Sequence, residues 1–134
     1  MVYLVDDDTE DLEILQEALF VHSYKGPVVT LENGLKLLAQ LNGNGHSPEP
    51  HVIVLDLNMP LLDGFQTLTR IREHPTYNSV PVIMLTASSK KEDEEKSYQL
   101  GCNFFLTKPS RIKDYDTLTA LVKRFIAPRT TPAN

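Results

Sequence analysis

The chain has 134 residues, 41% hydrophobic and 23% charged, which excludes disordered and fibrous classes and allows one domain with a single buried core. Its net charge is −5 with the basic residues scattered, which argues against direct nucleic-acid binding. A single cysteine (Cys102), no basic leader before the first apolar run, and no apolar run near the roughly 20 residues of a membrane span point to a reducing, cytoplasmic setting.

The first strand is expected at Val2–Val5, and it runs straight into Asp6, Asp7 and Asp8. Two unit charges about 4 Å apart near a protein surface interact with roughly 4 kcal/mol, so such a cluster requires a nearby cation. Asp8 directly precedes a helical pattern in Leu12, Leu15 and Leu19, which suits it as N-cap, with Glu10 and Asp11 in a first turn that favours negative charge. A second strand at Pro27–Leu31 precedes helical leucines at Leu35, Leu38 and Leu41. The loop Asn42–Pro50 contains Gly43 and Gly45, but it follows a helix rather than a strand, which disfavours a phosphate cradle.

The third strand, Val52–Leu57, contains Asp56 near its end, and Asp63-Gly64 reads as a turn before a helix marked by Phe65, Leu68 and Ile71. Met59 and Pro60 shape the intervening loop. A fourth strand at Pro81–Thr86 leads into Ser88–Leu100, a highly charged helical segment that is either solvated or exposed for partner contact. Its Glu92 and Lys96 have the favourable i, i+4 order, Lys91 and Glu95 the reverse. The fifth strand is Phe104–Thr107, with Phe104 a core residue, and an apolar stripe of Tyr115, Leu118, Leu121, Val122 and Phe125 marks the last helix. Cys102 reads as a small core residue. Residues 1–127 form the expected domain, and residues 128–134 a frayed tail.

Strands alternating with helices imply right-handed crossovers and a parallel sheet covered on both faces, an α/β doubly wound fold. Unbroken apolar runs such as VIVL suit strands buried on both sides. Ligands in such folds bind beyond the carboxyl ends of the strands, where this chain places Asp6, Asp7, Asp56, Thr86 and Lys108. The carboxylates of Asp6, Asp7 and Asp56 make a hard oxygen site suited to Mg²⁺. Asp56 is a candidate nucleophile toward phosphorus through an acyl phosphate, Lys108 a candidate to neutralise the transferring oxygens, and Thr86 a hydroxyl donor to them. The histidines His22, His46, His51 and His74 lack ligand spacing, which disfavours a zinc site.

The acidic pair Asp6-Asp7, the run LDLNMPLLDG around Asp56, PVIMLTA with Thr86, and FLTKP with Lys108 fall in one order and spacing. In these motifs the chain resembles the response-regulator receiver domains of two-component signalling, from Val2 to about Ile126. The resemblance implies a flavodoxin-like (βα)5 three-layer sandwich with strand order 2-1-3-4-5. It also implies that Asp56 accepts phosphate from a sensor histidine kinase or a histidine phosphotransfer protein. Asp7 would be the principal Mg²⁺ ligand, with Asp6 assisting through water and the Asn58 backbone carbonyl completing the protein's share. The resemblance further implies phosphoryl contact by Lys108, a Lys108–Pro109 bond that is usually cis, and small size near the phosphate, which Ala87 fits. The switch pair is Thr86 and Phe105, the latter a Phe where many relatives have Tyr, so no phenolic hydrogen bond is available. Asn58 and Ser88 would tune hydrolysis.

In the family, output passes through the fourth helix, fifth strand and fifth helix, and dimers through those faces are common. The loop before the third strand and the segment Ser97–Ser110 are similar to single-domain receivers that serve phytochrome-like or other multidomain sensor kinases. Two alternative readings fit these residues less well. A haloacid-dehalogenase-type phosphatase would want an acid where Asn58 stands and room for a cap domain. A phosphorylation-independent scaffold would not need the complete set of site residues that this chain has.

Overall fold

The computed structural model describes residues 1–43 and 49–127. Three aliphatic runs, β1 (Val2–Val5), β3 (Val52–Leu55) and β4 (Val82–Thr86), are buried at every position. Two others, β2 (Val28–Leu31) and β5 (Phe104–Thr107), are only partly covered because they lie at the edges. All five strands are parallel in the order β2-β1-β3-β4-β5. This is the expected doubly wound fold and strand order. Strands β2 and β4 start one residue later than expected, after Pro27 and Pro81, since proline has no N–H to donate to a ladder.

The two-residue period of a strand divides the core. Val2 and Leu4, with Val52, Val54, Ile83 and Leu85, pack against α1 (Thr9–Val21) and α5 (Asp116–Ile126). Tyr3 and Val5, with Ile53, Leu55, Val82 and Met84, face the other way, toward α2 (Gly34–Leu41) and α3 (Gly64–Glu73). Each such aliphatic side chain contributes on the order of 1.5–3 kcal/mol when fully buried, so the three central strands anchor the molecule. Cys102 belongs to the second cluster. Phe104 is half-buried against the first, a more peripheral place than a core residue, because β5 is an edge.

Asp8 caps α1 as anticipated, its carboxylate accepting from the N–H groups of Glu10 and Asp11. Asp63 is more than a turn residue: it and Gln66 form a reciprocal capping box at the start of α3. The next residue has to be glycine, because a Cβ on Gly64 would lie 2.5 Å from the Asp56 carbonyl oxygen and 2.6 Å from Leu57 Cα.

The charged helix α4 (Lys91–Gln99) buries only Ser97 and has no side-chain cap. Lys91 and Glu95 meet at 4.0 Å, but among the described residues Glu92 and Lys96 form no pair, since Lys96 Nζ lies 4.4 Å from the centre of the Phe65 ring instead. After α4 the chain reverses at Gly101 (φ +103°), whose carbonyl accepts two hydrogen bonds from the Arg72 guanidinium. A 3-10 turn, Ile112–Tyr115, leads into α5. No peptide bond among the described residues is cis, so the Lys108–Pro109 bond is trans, contrary to the expectation. Trans is the lower-energy isomer for X–Pro by roughly 0.5–1 kcal/mol, and with it the Lys108 side chain already reaches Asp6. Of the glycine-containing loop, Gly45 lies outside the described residues, as do His46 and the expected tail. No helix among the described residues is long and apolar enough to cross a membrane.

Candidate metal and phosphoryl site

Three acids and one lysine gather where the sheet ends, because ladder bonding continues one residue past the strands. Asp6 N donates to Leu31 O, Asp56 N to Val5 O, and Lys108 N to Thr86 O. The backbones of these residues are thus fixed by the sheet, and their side chains project beyond its carboxyl edge. One carboxylate oxygen from each of Asp6, Asp7 and Asp56 lies within 4.8 Å of the others. Asp6 and Asp56 are buried, whereas Asp7 is open to solvent.

The cation that the acidic cluster demands is supplied first by the protein itself. Lys108 Nζ donates to Asp6 Oδ2 at 2.7 Å and to Asp11 Oδ2 at 2.9 Å, and stands 3.8 Å from Asp56 Oδ1. The other oxygen of Asp6 accepts from Asp8 N at 3.0 Å. Burial alone would lower the Lys108 ammonium, but the bonds from Asp6 and Asp11, together with the charges of Asp56 and Asp6, outweigh it and hold the group above its ordinary value.

One lysine does not neutralise three acids. Burial, and then repulsion from Asp6, push the Asp56 carboxyl up from 3.8 to about 6, only partly opposed by Lys108. Burial likewise raises Asp6, against the hydrogen bond from Lys108. Three convergent carboxylates with incomplete compensation are the donor set that a hard divalent cation prefers. The residues present fit such an ion.

Thr86 ends β4, two residues past Met84, which pairs with Leu55, so it stands level with Leu57, one residue beyond Asp56 at the same end of the sheet. Its side chain is fully buried, and its hydroxyl oxygen accepts from Ser88 N at 3.3 Å. Asn58 and Ala87 are exposed on the loops that flank the site. Phe105 stands apart from the acids, half-buried against the Tyr3 and Met84 side of the core, and its N–H donates to the Tyr98 hydroxyl at 3.1 Å. A groove between α1 and the segment after β5, lined by Asp11, Ile14, Lys108, Arg111, Ile112 and Tyr115, opens beside the lysine.

The acids and the lysine that the spacing singled out come together at the strand ends. Asp11 was missed as a site residue, because its place in the first turn of a helix already explained its charge. Its spacing from Asp8, three residues on, brings it back over the strand end, and this is the only signal that could have found it. The Tyr98 contact could not be read from sequence, since it joins a helix to an edge strand through a backbone N–H.

Residues 2–122 match the sequence model of the response regulator receiver domain. The chain is similar to response regulator Rcp1 of Synechocystis sp., with 34% identity over 128 residues that cover 93% of this chain and 87% of the relative. In structure it resembles the Mn²⁺-bound form of Rcp1, with TM-score 0.80, 34% identity and 98% of each chain covered. It also resembles the phosphorylated cyanobacterial phytochrome response regulator RcpA, with TM-score 0.83, 30% identity, and 98% and 97% of the two chains covered.

Proposed function

The chain belongs to the response regulator receiver family, and from that premise we propose that Asp56 takes a phosphoryl group from a sensor histidine kinase or a histidine phosphotransfer protein. The observation that carries the reading is the placement of the buried Asp56 carboxylate within 4.8 Å of those of Asp6 and Asp7 and 3.8 Å from the Lys108 ammonium. Asp56 is buried and, unlike Asp6 and Asp11, takes no hydrogen bond from Lys108. With its carboxyl at about 6, it is mostly ionised at neutral pH and keeps a nucleophilic oxygen.

An Asp56 oxygen attacks phosphorus, the P–N bond of the donor phosphohistidine breaks, and an acyl phosphate forms while the imidazole leaves. Lys108 neutralises charge on the transferring oxygens, and Thr86 offers its hydroxyl proton to one of them. Asp6, Asp7 and Asp56, with the backbone carbonyl of Asn58, would hold a Mg²⁺ ion, which supplies further positive charge to the same oxygens. Hydrolysis of the acyl phosphate ends the signal. The groove between α1 and the segment after β5 includes Lys108 and Asp11 in its lining and offers a donor protein a surface beside the site.

Output is read from contacts of α4, β5 and α5 with a partner protein or a second copy, as Thr86 engages the phosphoryl and Phe105 turns further inward. The likeness to a phytochrome response regulator supports a multidomain sensor kinase as the donor. A cytoplasmic setting fits the free, buried Cys102. The test is intact-mass spectrometry after incubation with acetyl phosphate. A single phosphoryl adduct that needs both Mg²⁺ and Asp56, and is absent in Asp56→Asn, is expected. Equal incorporation in Asp56→Asn removes Asp56 from the role, and no adduct in the wild type from either acetyl phosphate or a phosphorylated histidine donor favours a phosphorylation-independent scaffold.

A further inference from the structure

Helix α4 is seated on the domain by polar handles, because Ser97 is its one buried residue. The handle nearest the acidic site is Ser88. Its hydroxyl donates to Asp93 Oδ2 at 2.6 Å, within the 2.5–2.7 Å typical of a charge-assisted bond. The same oxygen accepts from Lys90 N at 3.2 Å, its backbone N–H donates to Thr86 Oγ1 at 3.3 Å, and its carbonyl accepts from Thr107 Oγ1 at 3.3 Å. Every polar atom of Ser88 is thus engaged, joining the end of β4, the first turn of α4 and the end of β5. On the helix side the connection continues, since the Asp93 carbonyl accepts from Ser97 Oγ at 2.7 Å.

Thr86 is tied to this arrangement through its side-chain oxygen. Its buried oxygen has accepted the Ser88 N–H, and among the described residues its own proton has no protein acceptor. That proton is left to meet another acceptor, and the Ser88 N–H occupies one side of the oxygen. We propose that Ser88 and Asp93 form a positioning pair which orients the Thr86 hydroxyl toward a phosphoryl group on Asp56 and carries the response of Thr86 into α4. The inference rests on the phosphoryl-acceptor reading of Asp56. Ser88 and Asp93 touch neither the acids nor Lys108; they act through Thr86.

The test measures binding of beryllofluoride, a phosphoryl mimic, in the presence of Mg²⁺. The proteins compared are the wild type, Ser88→Ala, Asp93→Ala, the double variant and Ser88→Thr, with Mg²⁺ affinity and the thermal melt of each as controls for folding. Each single alanine variant is expected to bind the mimic about fivefold more weakly, at the low end of ordinary coupling between sites, with Mg²⁺ affinity unchanged. The double variant is expected to be no weaker than either single one, whereas independent effects would multiply to about 25-fold. Ser88→Thr, which keeps the hydroxyl, restores binding. The Ser97 amide resonance shifts when the mimic binds to the wild type and does not shift in Ser88→Ala. A wild type that binds the mimic, with variants that bind equally well or with independent losses, overturns the pair alone. A wild type that binds none overturns the phosphoryl reading, and the pair falls with it.

Discussion

Replacing Asp56 with asparagine should make the metal-free protein more stable at neutral pH, although it removes the residue on which the chemistry depends. In the folded protein burial and the charge of Asp6 raise the Asp56 carboxyl from 3.8 to about 6. The folded state therefore binds more protons than the unfolded one between those values, and stability falls as pH rises through that window. A rise of roughly 2 pH units at 1.36 kcal/mol per unit amounts to about 3 kcal/mol once Asp56 is fully ionised. The Asp56 side chain is only 8% exposed, so solvent screening removes little of this. The loss of its attraction to Lys108 is tolerated, because the ammonium keeps its bonds to Asp6 and Asp11.

Urea unfolding in EDTA should show Asp56→Asn more stable than the wild type by about 2–3 kcal/mol at pH 7.5, with the gap closing toward zero near pH 4. Mg²⁺ should narrow it by stabilising the wild type, about 1.4 kcal/mol at ten times its Kd. A variant less stable than the wild type at pH 7.5, or a gap that does not change with pH, would refute the picture of an under-compensated buried carboxylate.

Lys108→Ala should destabilise the protein by about 2 kcal/mol, between the costs of exposed and buried pairs, and should abolish phosphoryl incorporation; urea melts and intact mass report the two effects. Gly64→Ala forces a methyl against the Asp56 backbone, at a cost of about 1–3 kcal/mol in the same melts, and displaces the acceptor enough to slow its phosphorylation. Asp8→Ala removes the cap of α1 and should cost about 1 kcal/mol while leaving Mg²⁺-dependent incorporation intact, since the Asp8 carboxylate bonds the helix N-terminus. Loss of incorporation in that variant would make Asp8 part of the site.

The fold was legible because its central strands carry short, largely apolar, β-branched-rich runs, VYLV, VIVL and VIMLT, which suit a sheet covered on both faces, and these alternate with helical patterns. The acids and the lysine were legible because topology puts every strand end at one edge, so residues far apart in sequence, such as Asp6 and Lys108, had to meet. What stayed hidden depends on rotamers and on competition between partners. Lys96 had an acid at the right helical spacing and settled over Phe65 instead, a contact between helices that a single-helix rule does not see. Asp11 had one adequate explanation in the helix dipole and acquired a second from Lys108. Ser88 reads in sequence as a flanking loop residue, and its role is visible only in four simultaneous hydrogen bonds.

The central claim is that the Asp56 carboxylate itself forms the acyl phosphate. Treating acetyl phosphate-loaded protein with borohydride reduces an acyl phosphate to an alcohol, converting the modified aspartate into homoserine, and peptide mass mapping then locates it. The account predicts homoserine at position 56 alone, dependent on Mg²⁺ during loading. Homoserine at position 6 or 7, or an intact phosphoryl adduct on a side chain that borohydride does not reduce, would contradict it.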